Sequence, residues 1–314
     1  MSGFAKTLRA WFDAGALEEA AAPERDAIDW PRVIPFVLLH LGCGAVAWVG
    51  VSATALLVAG GLYVARMFAL TAFYHRYFSH RAFEIGRLGQ FLFACLGAAA
   101  IQRGPLWWAA HHRDHHRVSD RPEDVHSPVV HGFWWSHVGW FLSRKNFRTR
   151  LENVPDLARY PELRFLDRFD VVVPALLFAA LYAAGAACER WWPALETDGW
   201  QLVVWGFFVS TVVLYHATFT INSLAHRFGK RRYATADQSR NNGWLALLTL
   251  GEGWHNNHHH YPAAARQGFR WHELDVSWLL LRLLAACGIV RALRDVPPAV
   301  RDDGDPRGRA GVAP

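Results

Sequence analysis

The sequence predicts an all-α integral membrane protein. Three observations carry that expectation. Of 314 residues, 52% are hydrophobic and 14% aromatic, including 16 Trp, and indole rings concentrate at membrane–water interfaces. Four apolar stretches, 33–50, 52–74, 171–187 and 200–221, approach spanning length; a span needs about 20 mostly apolar residues. Ten of the 17 histidines fall into three tight clusters, two of them with helical spacing.

Taken in order, the first 30 residues are mixed, with Glu18, Glu19, Glu24 and Asp26, and lack the apolar core of a signal peptide. They form the N-terminal segment. The first two spans meet at Gly50-Val51, which reads as a tight hairpin. The stretch 88–100 is too short to span and precedes Arg103, so it reads as an interfacial or buried helix. The third span is short, and Phe165 and Phe169 extend it upstream. The loop from Cys188 to Gly199 holds Glu189, Glu196 and Asp198 against Arg190. By contrast, 14 Lys or Arg lie between His75 and Asp170, and 13 more follow Ile221. The positive-inside rule then puts both termini and all three histidine clusters in the cytoplasm. A pI near 9.4 fits a basic face against anionic headgroups and requires no nucleic acid. The four cysteines are scattered and read as small buried residues. The membrane domain is expected over 31–295, followed by a disordered tail over 296–314 rich in Pro, Gly, Asp and Arg.

The clusters read His75-x4-His80, His112-x2-His115-His116 and His255-x2-His258-His259. Imidazole is the commonest metal-ligand side chain. In HxxHH, positions i, i+3 and i+4 share one helical face, so three rings can enter one site. In HxxxxH the two rings sit about 140° apart on a straight helix, so the helix must end or distort near Phe78. Eight ligands exceed what one ion needs, which points to two metal ions. His111 and His260 fall outside the spacing. His40 and His216 lie isolated in spans, and His126, His131, His137 and His272 read as surface or supporting residues. His226 follows Asn222 by four residues at the end of the fourth span, so the two are expected on one helical face, and an ionisable group at a span end is a functional candidate. Asp114, Asp120, Glu123, Asp124, Asp237 and Glu252 lie near the clusters. They can fix imidazole tautomers or simply face solvent.

Beyond the histidines, the flanks Phe73–Arg81, Ser136–Trp140, Asn222–His226, Gly251–His259 and Arg270–His272 occur in a fixed order. Together they resemble the membrane fatty-acid desaturase family, in particular its stearoyl-CoA delta-9 branch. The resemblance covers about residues 30–295. It implies four spans beneath a helical cytoplasmic cap that holds a di-iron centre. It also implies nine histidine ligands: His75, His80, His112, His115, His116, His226, His255, His258 and His259, with Asn222 reaching a metal through water. Gln102, Trp108 and Thr218 match positions that bend the acyl chain, and Arg144 and Lys145 match headgroup positions. The implied reaction uses O2 and two external electrons to place a cis double bond in a saturated acyl-CoA. Breaking an unactivated C–H bond demands redox chemistry that zinc lacks.

The chain departs from the animal enzymes at Ala110, where they carry a basic residue, and at His111, where they carry an acidic one. Acyl-lipid substrates therefore stay open. No haem or iron–sulfur motif is evident, so the electrons are expected from a separate ferredoxin or rubredoxin with its reductase. Arg outnumbers Lys 30 to 3, which points to a GC-rich bacterium and its inner membrane. The rivals are a histidine-box hydroxylase and, more distantly, a metal transporter. A transporter would need ionisable groups along its spans.

Overall fold

The computed structural model describes residues 9, 11–17 and 27–303. Most of the N-terminal segment and residues 304–314 lie outside that range. The chain is predominantly helical and divides into two compact units. The first comprises Met1–Ala69, Phe91–Trp108 and Phe141–His216, the second Leu70–Gln90, Ala109–Trp140 and Ala217–Pro314.

Three helices are long and apolar enough to cross a membrane: Ala53–Ser79, Val172–Trp191 and Gly199–Ser223. The fourth expected span is a shorter apolar helix, Val33–Val49. A 3-10 turn at Cys43–Ala45 interrupts it.

Close backbone contact organises the first unit. Gly185 and Gly199 let the last two helices touch: a Cβ on Gly185 would lie 2.2 Å from the carbonyl oxygen of Asp198. Gly50 takes φ +64° in the hairpin turn, a conformation that favours glycine. Ser52 then caps the next helix by accepting from the Ala55 amide at 3.1 Å and donates to Gln201 Oε1 at 2.6 Å. Arg66 is wholly buried in the helix Ala53–Phe68. It donates to the Ala99 and Gly206 carbonyls and to the hydroxyls of Thr211 and Ser210. Gly206 lies in a π-helical stretch, Val203–Val209. The stretch 88–100 forms a helix, Arg87–Ala98, on which Leu88 and Leu92 are exposed.

In the second unit a two-stranded antiparallel pair joins Glu84–Ile85 to Val290–Arg291. Tyr233, Ala264, Phe269 and Val296 form a small core, with Tyr261 and Val300 packed on it. Tyr233 donates its hydroxyl to the Arg301 carbonyl at 2.7 Å. A helical turn, Pro298–Asp302, follows. Val296, Val300 and Arg301, which the sequence reading assigned to the tail, thus pack against or bond to this core.

Candidate metal centre

Every histidine of the three clusters lies in the second unit. The first box sits on a π-helix, Ala69–Ser79, and the His80 amide donates to the His75 carbonyl at 3.3 Å. That bond spans five residues, the π-helical pattern. It supplies the distortion that HxxxxH requires and brings the rings of His75 and His80 to 5.0 Å between centroids. Arg113 holds the end of this segment by donating to the carbonyls of Ser79 and Phe78. The second box lies on the helix Pro105–Val118 and the third on His255–His260, so both HxxHH motifs are helical as expected. His226 corrects one expectation. The helix ends at Ser223, so Asn222 and His226 do not share a helical face. A turn places His226 instead, with the Ala225 amide donating back to the Thr220 carbonyl at 3.2 Å.

Two groups of imidazoles result. His75, His80, His112, His116 and His258 form one, and His115, His226, His255 and His259 the other. Within each group, one ligand nitrogen per residue lies within 4.8 Å of all the others. The Nε2 atoms of His75 and His258, His80 and His112, His116 and His258, and His226 and His255 approach to 2.8–3.0 Å. Two imidazoles bound at right angles to one ion, with bonds of about 2.1 Å, have nitrogens roughly 3.0 Å apart. The spacing therefore fits metal ligation.

Carboxylates settle the tautomers at four rings. Asp124 accepts from His115 Nδ1 at 2.9 Å, Asp120 from His226 Nδ1 at 2.8 Å, and Asp237 from His259 Nδ1 at 2.7 Å. Glu252 pairs with His75 Nδ1. Each bond commits the Nδ1 proton and turns the Nε2 lone pair toward the cluster. His259 Nε2 is buried with no hydrogen-bond partner among the described residues. A buried polar atom left this way calls for an unseen partner such as a metal ion.

Electrostatics favours the neutral ring at six of the nine histidines. Burial, reinforced by neighbouring histidines, holds His80, His112, His116, His255 and His258 well below the usual imidazole pKa. They are neutral, the form that binds metal. Burial also lowers the pKa of His259, to about 4, against the opposing pull of Asp237. At His115 burial pushes down, but the charge and hydrogen bond of Asp124 outweigh it and raise the pKa. Burial raises Asp120, Asp124, Asp237 and Glu252, yet their histidine contacts win and keep all four below the ordinary carboxylate value.

Sequence reasoning could not pair the six nearby carboxylates. Four hold histidines, Asp114 bonds Arg117, and Glu123 is exposed. It also passed over a second layer. Arg76 is buried and bridges Glu252, Asp275 and the Ala265 carbonyl. Asn256 Oδ1 accepts from the amides of Arg232 and Tyr233 at 2.7 and 2.8 Å. Asn257 donates to the Gln267 carbonyl and to Glu273. The only sequence signal for these was amide and cationic residues set between ligands. Asn222 accepts from Ser136 through its backbone carbonyl at 2.9 Å.

The remaining histidines take structural places. His111 packs on Trp140, and His260 stacks on Tyr233 at 4.0 Å. His126 is buried beside Asp124, and His137 meets Ser223 at 2.9 Å. In the first unit His40 and His216 bond each other at 3.1 Å. Gln102, Trp108, Arg144 and Lys145 belong to the first unit and Thr218 to the second. Gln102 is nine-tenths buried between two strained residues, Ile101 and Arg103, with φ of +60° and +70°. Arg144 lies 3.9 Å from Asp29.

A helical chain with membrane-length apolar helices and nine converging histidines defines a histidine-box membrane protein. The sequence profile described as "Fatty acid desaturase" matches residues 30–286, and this chain belongs to that family. It is 37% identical over 270 residues to the Arabidopsis thaliana palmitoyl-monogalactosyldiacylglycerol delta-7 desaturase, covering 85% of this chain and 69% of that one. It is 34% identical over 278 residues to the sn-1 stearoyl-lipid 9-desaturase of Anabaena variabilis, covering 86% of this chain and 95% of that one. To the acyl-CoA 5-desaturase AL21 of Anemone leveillei it is 38% identical over 240 residues, covering 76% and 70%. The chain is thus an oxidoreductase of lipid metabolism.

Proposed function

We propose that this chain is an O2-dependent, di-iron desaturase that places a cis double bond at the delta-9 position of a saturated fatty acyl-CoA. The supporting observation is the pair of imidazole groups, five and four, with carboxylates fixing four of the rings. The proposed ligands are His75, His80, His112, His116 and His258 for one iron and His115, His226, His255 and His259 for the other, with Asn222 contacting a metal through water. When bound, the irons supply the O2 activation that removes two hydrogens from adjacent methylenes. The balance is one saturated chain, O2, two electrons and two protons giving one alkene and two waters. The electrons come from a separate ferredoxin or rubredoxin with its reductase.

The protein's own part is placement. Asp120, Asp124, Asp237 and Glu252 hold protons on Nδ1 so that the Nε2 atoms stay free to bind. Arg76 steadies Glu252 from behind. The acyl chain has no polar group near its reacting carbons, so shape must select the bond. Gln102, Trp108 and Thr218 bend it. Arg144 and Lys145 take the headgroup phosphates, for which the guanidinium fork is suited. In this reading Val33–Val49 completes four spans, and a helical cap on the cytoplasmic side of a bacterial inner membrane holds the histidines.

A second reading, an acyl chain esterified in a membrane lipid, is supported by the Anabaena relative named for a stearoyl-lipid, of which the chain covers 95%. Expression in a host unable to make unsaturated fatty acids, followed by lipid mass spectrometry, tests both. Monoenes with a mapped delta-9 bond support desaturation. Hydroxy acids without monoenes overturn it. Purified enzyme supplied with stearoyl-CoA or with stearoyl-lipid vesicles separates the two substrates.

A further inference from the structure

Two short helices of the histidine-bearing unit are apolar on the outward face as well as the buried one. On Gly243–Leu248 the buried positions are Leu245 and Ala246, while Trp244, Leu247 and Leu248 are 83%, 56% and 40% exposed. Their i, i+3, i+4 spacing puts all three on one outward face. On Val276–Ala286, Ser277 and Leu281 are buried, and Leu279 and Leu283 are 50% and 60% exposed. Hydrogen bonds tie the flanks of the two helices: the Ser277 amide donates to the Leu250 carbonyl at 2.9 Å, and the Trp254 indole donates to the Leu274 carbonyl at 2.8 Å. Leu274 and Phe228 add further exposed apolar surface. Large apolar side chains exposed on both helices mark an interaction face.

Charge decides the partner. Between Arg227 and Ile289 the chain has four carboxylates, Asp237, Glu252, Glu273 and Asp275, and all four are buried. Each is spent on an internal cation or imidazole: Asp237 on His259, Glu252 and Asp275 on Arg76, and Glu273 on Arg232. Arg227, Lys230, Arg231 and Arg282 are exposed. The outer surface of this stretch is therefore leucine and tryptophan rimmed by positive charge, with no exposed carboxylate among its described residues. Leu and Trp on one side with Lys and Arg at the margin suit the headgroup–acyl boundary of an anionic bilayer.

We propose that Gly243–Leu248 and Val276–Ala286 form a membrane-inserted ledge, with Trp244, Leu247, Leu279 and Leu283 in the lipid and Lys230, Arg231 and Arg282 on anionic headgroups. The histidine-bearing unit then has its own bilayer contact, independent of the spans, and this holds whatever reaction the centre performs.

Spin labels on Leu247→Cys, Leu283→Cys and, as an aqueous control, Glu123→Cys test it. The labels are placed in full-length protein whose Cys43, Cys95, Cys188 and Cys287 are alanine, reconstituted in phosphatidylcholine–phosphatidylglycerol vesicles. Should that background fail to fold, native Cys287, exposed just past the second helix, is labelled instead. The expected result is high collision with O2 and low collision with a water-soluble nickel chelate at 247 and 283, with the reverse at 123. Replacing Lys230 and Arg282 with Glu shifts labels 247 and 283 toward water. Nickel access at 247 and 283 equal to that at 123 overturns the proposal. Protection from both reagents overturns it too, since that pattern means a protein covers the face.

Discussion

Asp237→Ala is the most direct test of how the centre is built. Asp237 Oδ2 accepts from His259 Nδ1 at 2.7 Å, while Oδ1 accepts from the Ser239 amide at 2.9 Å and the Thr235 hydroxyl at 3.0 Å. Alanine removes both roles. His259 loses the partner that fixes its tautomer, and Ser239, wholly buried, is left with an unsatisfied amide. Loss of a carboxylate supporting a ligating histidine costs about 10–100-fold in metal affinity, which is roughly 1.4–2.7 kcal/mol. The stranded amide adds about 1–3 kcal/mol of fold destabilisation. Asparagine has one acceptor oxygen for two acceptor positions, so Asp237→Asn should fall between wild type and alanine. The assay is iron titration of metal-free protein with stoichiometry by mass spectrometry, beside circular dichroism to confirm the fold. The expected result is weakened loading of one iron of two, with the other unaffected. A folded Asp237→Ala protein that binds two irons with wild-type affinity would refute the reasoning.

Other perturbations read different parts of the molecule. His226→Ala should abolish turnover and lower bound iron, measured by product analysis and metal content; full iron with full turnover would remove His226 from the ligand set. Gly253→Ala should block folding of the third box, because its Cβ would lie 2.1 Å from the Ala246 amide nitrogen and 2.4 Å from the Asn242 carbonyl oxygen. Neither backbone atom can yield cheaply, so expression and thermal midpoint should drop by more than the roughly 1–3 kcal/mol of ordinary overpacking. Arg66→Met should cost roughly 3 kcal/mol or more, since the Ala99 and Gly206 carbonyls lose a charged donor; a thermal midpoint matching wild type would contradict this. Asp167 is buried, and burial pushes its carboxyl up to about 6 despite hydrogen bonds from Thr149 and the Trp107 amide. A raised native pKa means that the folded state takes up the proton first. Asp167 therefore contributes a fall in stability of about 2–3 kcal/mol as pH rises from 4 to 6, against the opposite trend set by the buried neutral histidines, whose unfolded forms are protonated in that range. Asp167→Asn removes that contribution, so in detergent thermal melts the variant should gain more stability than wild type between pH 4 and 6; equal gains would contradict this.

The helical membrane architecture was legible because its signals are local. Apolar run length located the long helices to within a few residues, and i, i+3, i+4 spacing put two histidine boxes on helices. The nine histidines that the family pattern singled out are the nine that converge. What escaped was set by tertiary contact. The pairing of Asp120, Asp124, Asp237 and Glu252 with histidines joins residues from 9 positions apart, as with Asp124 and His115, to 106 apart, as with Asp120 and His226, and farther for Glu252 and His75. No local periodicity encodes that. His226 joins the second imidazole group by another route than helical spacing, since it stands in a turn past the helix that carries Asn222. Composition likewise says nothing of the contact by which Val296 joins Tyr233, Ala264 and Phe269, with Val300 packed on them.

The π-helical first box has a consequence for length variation. A turn that closes over five residues is, in register, an ordinary helical turn with one residue added. Removing one residue between His75 and His80 would let the segment relax to α-helix while leaving the two imidazoles at i and i+4, still on one face. Spacings of four and five are thus interchangeable solutions to one geometric demand. The box can absorb a single-residue insertion or deletion that would rotate ligands out of place at either HxxHH helix.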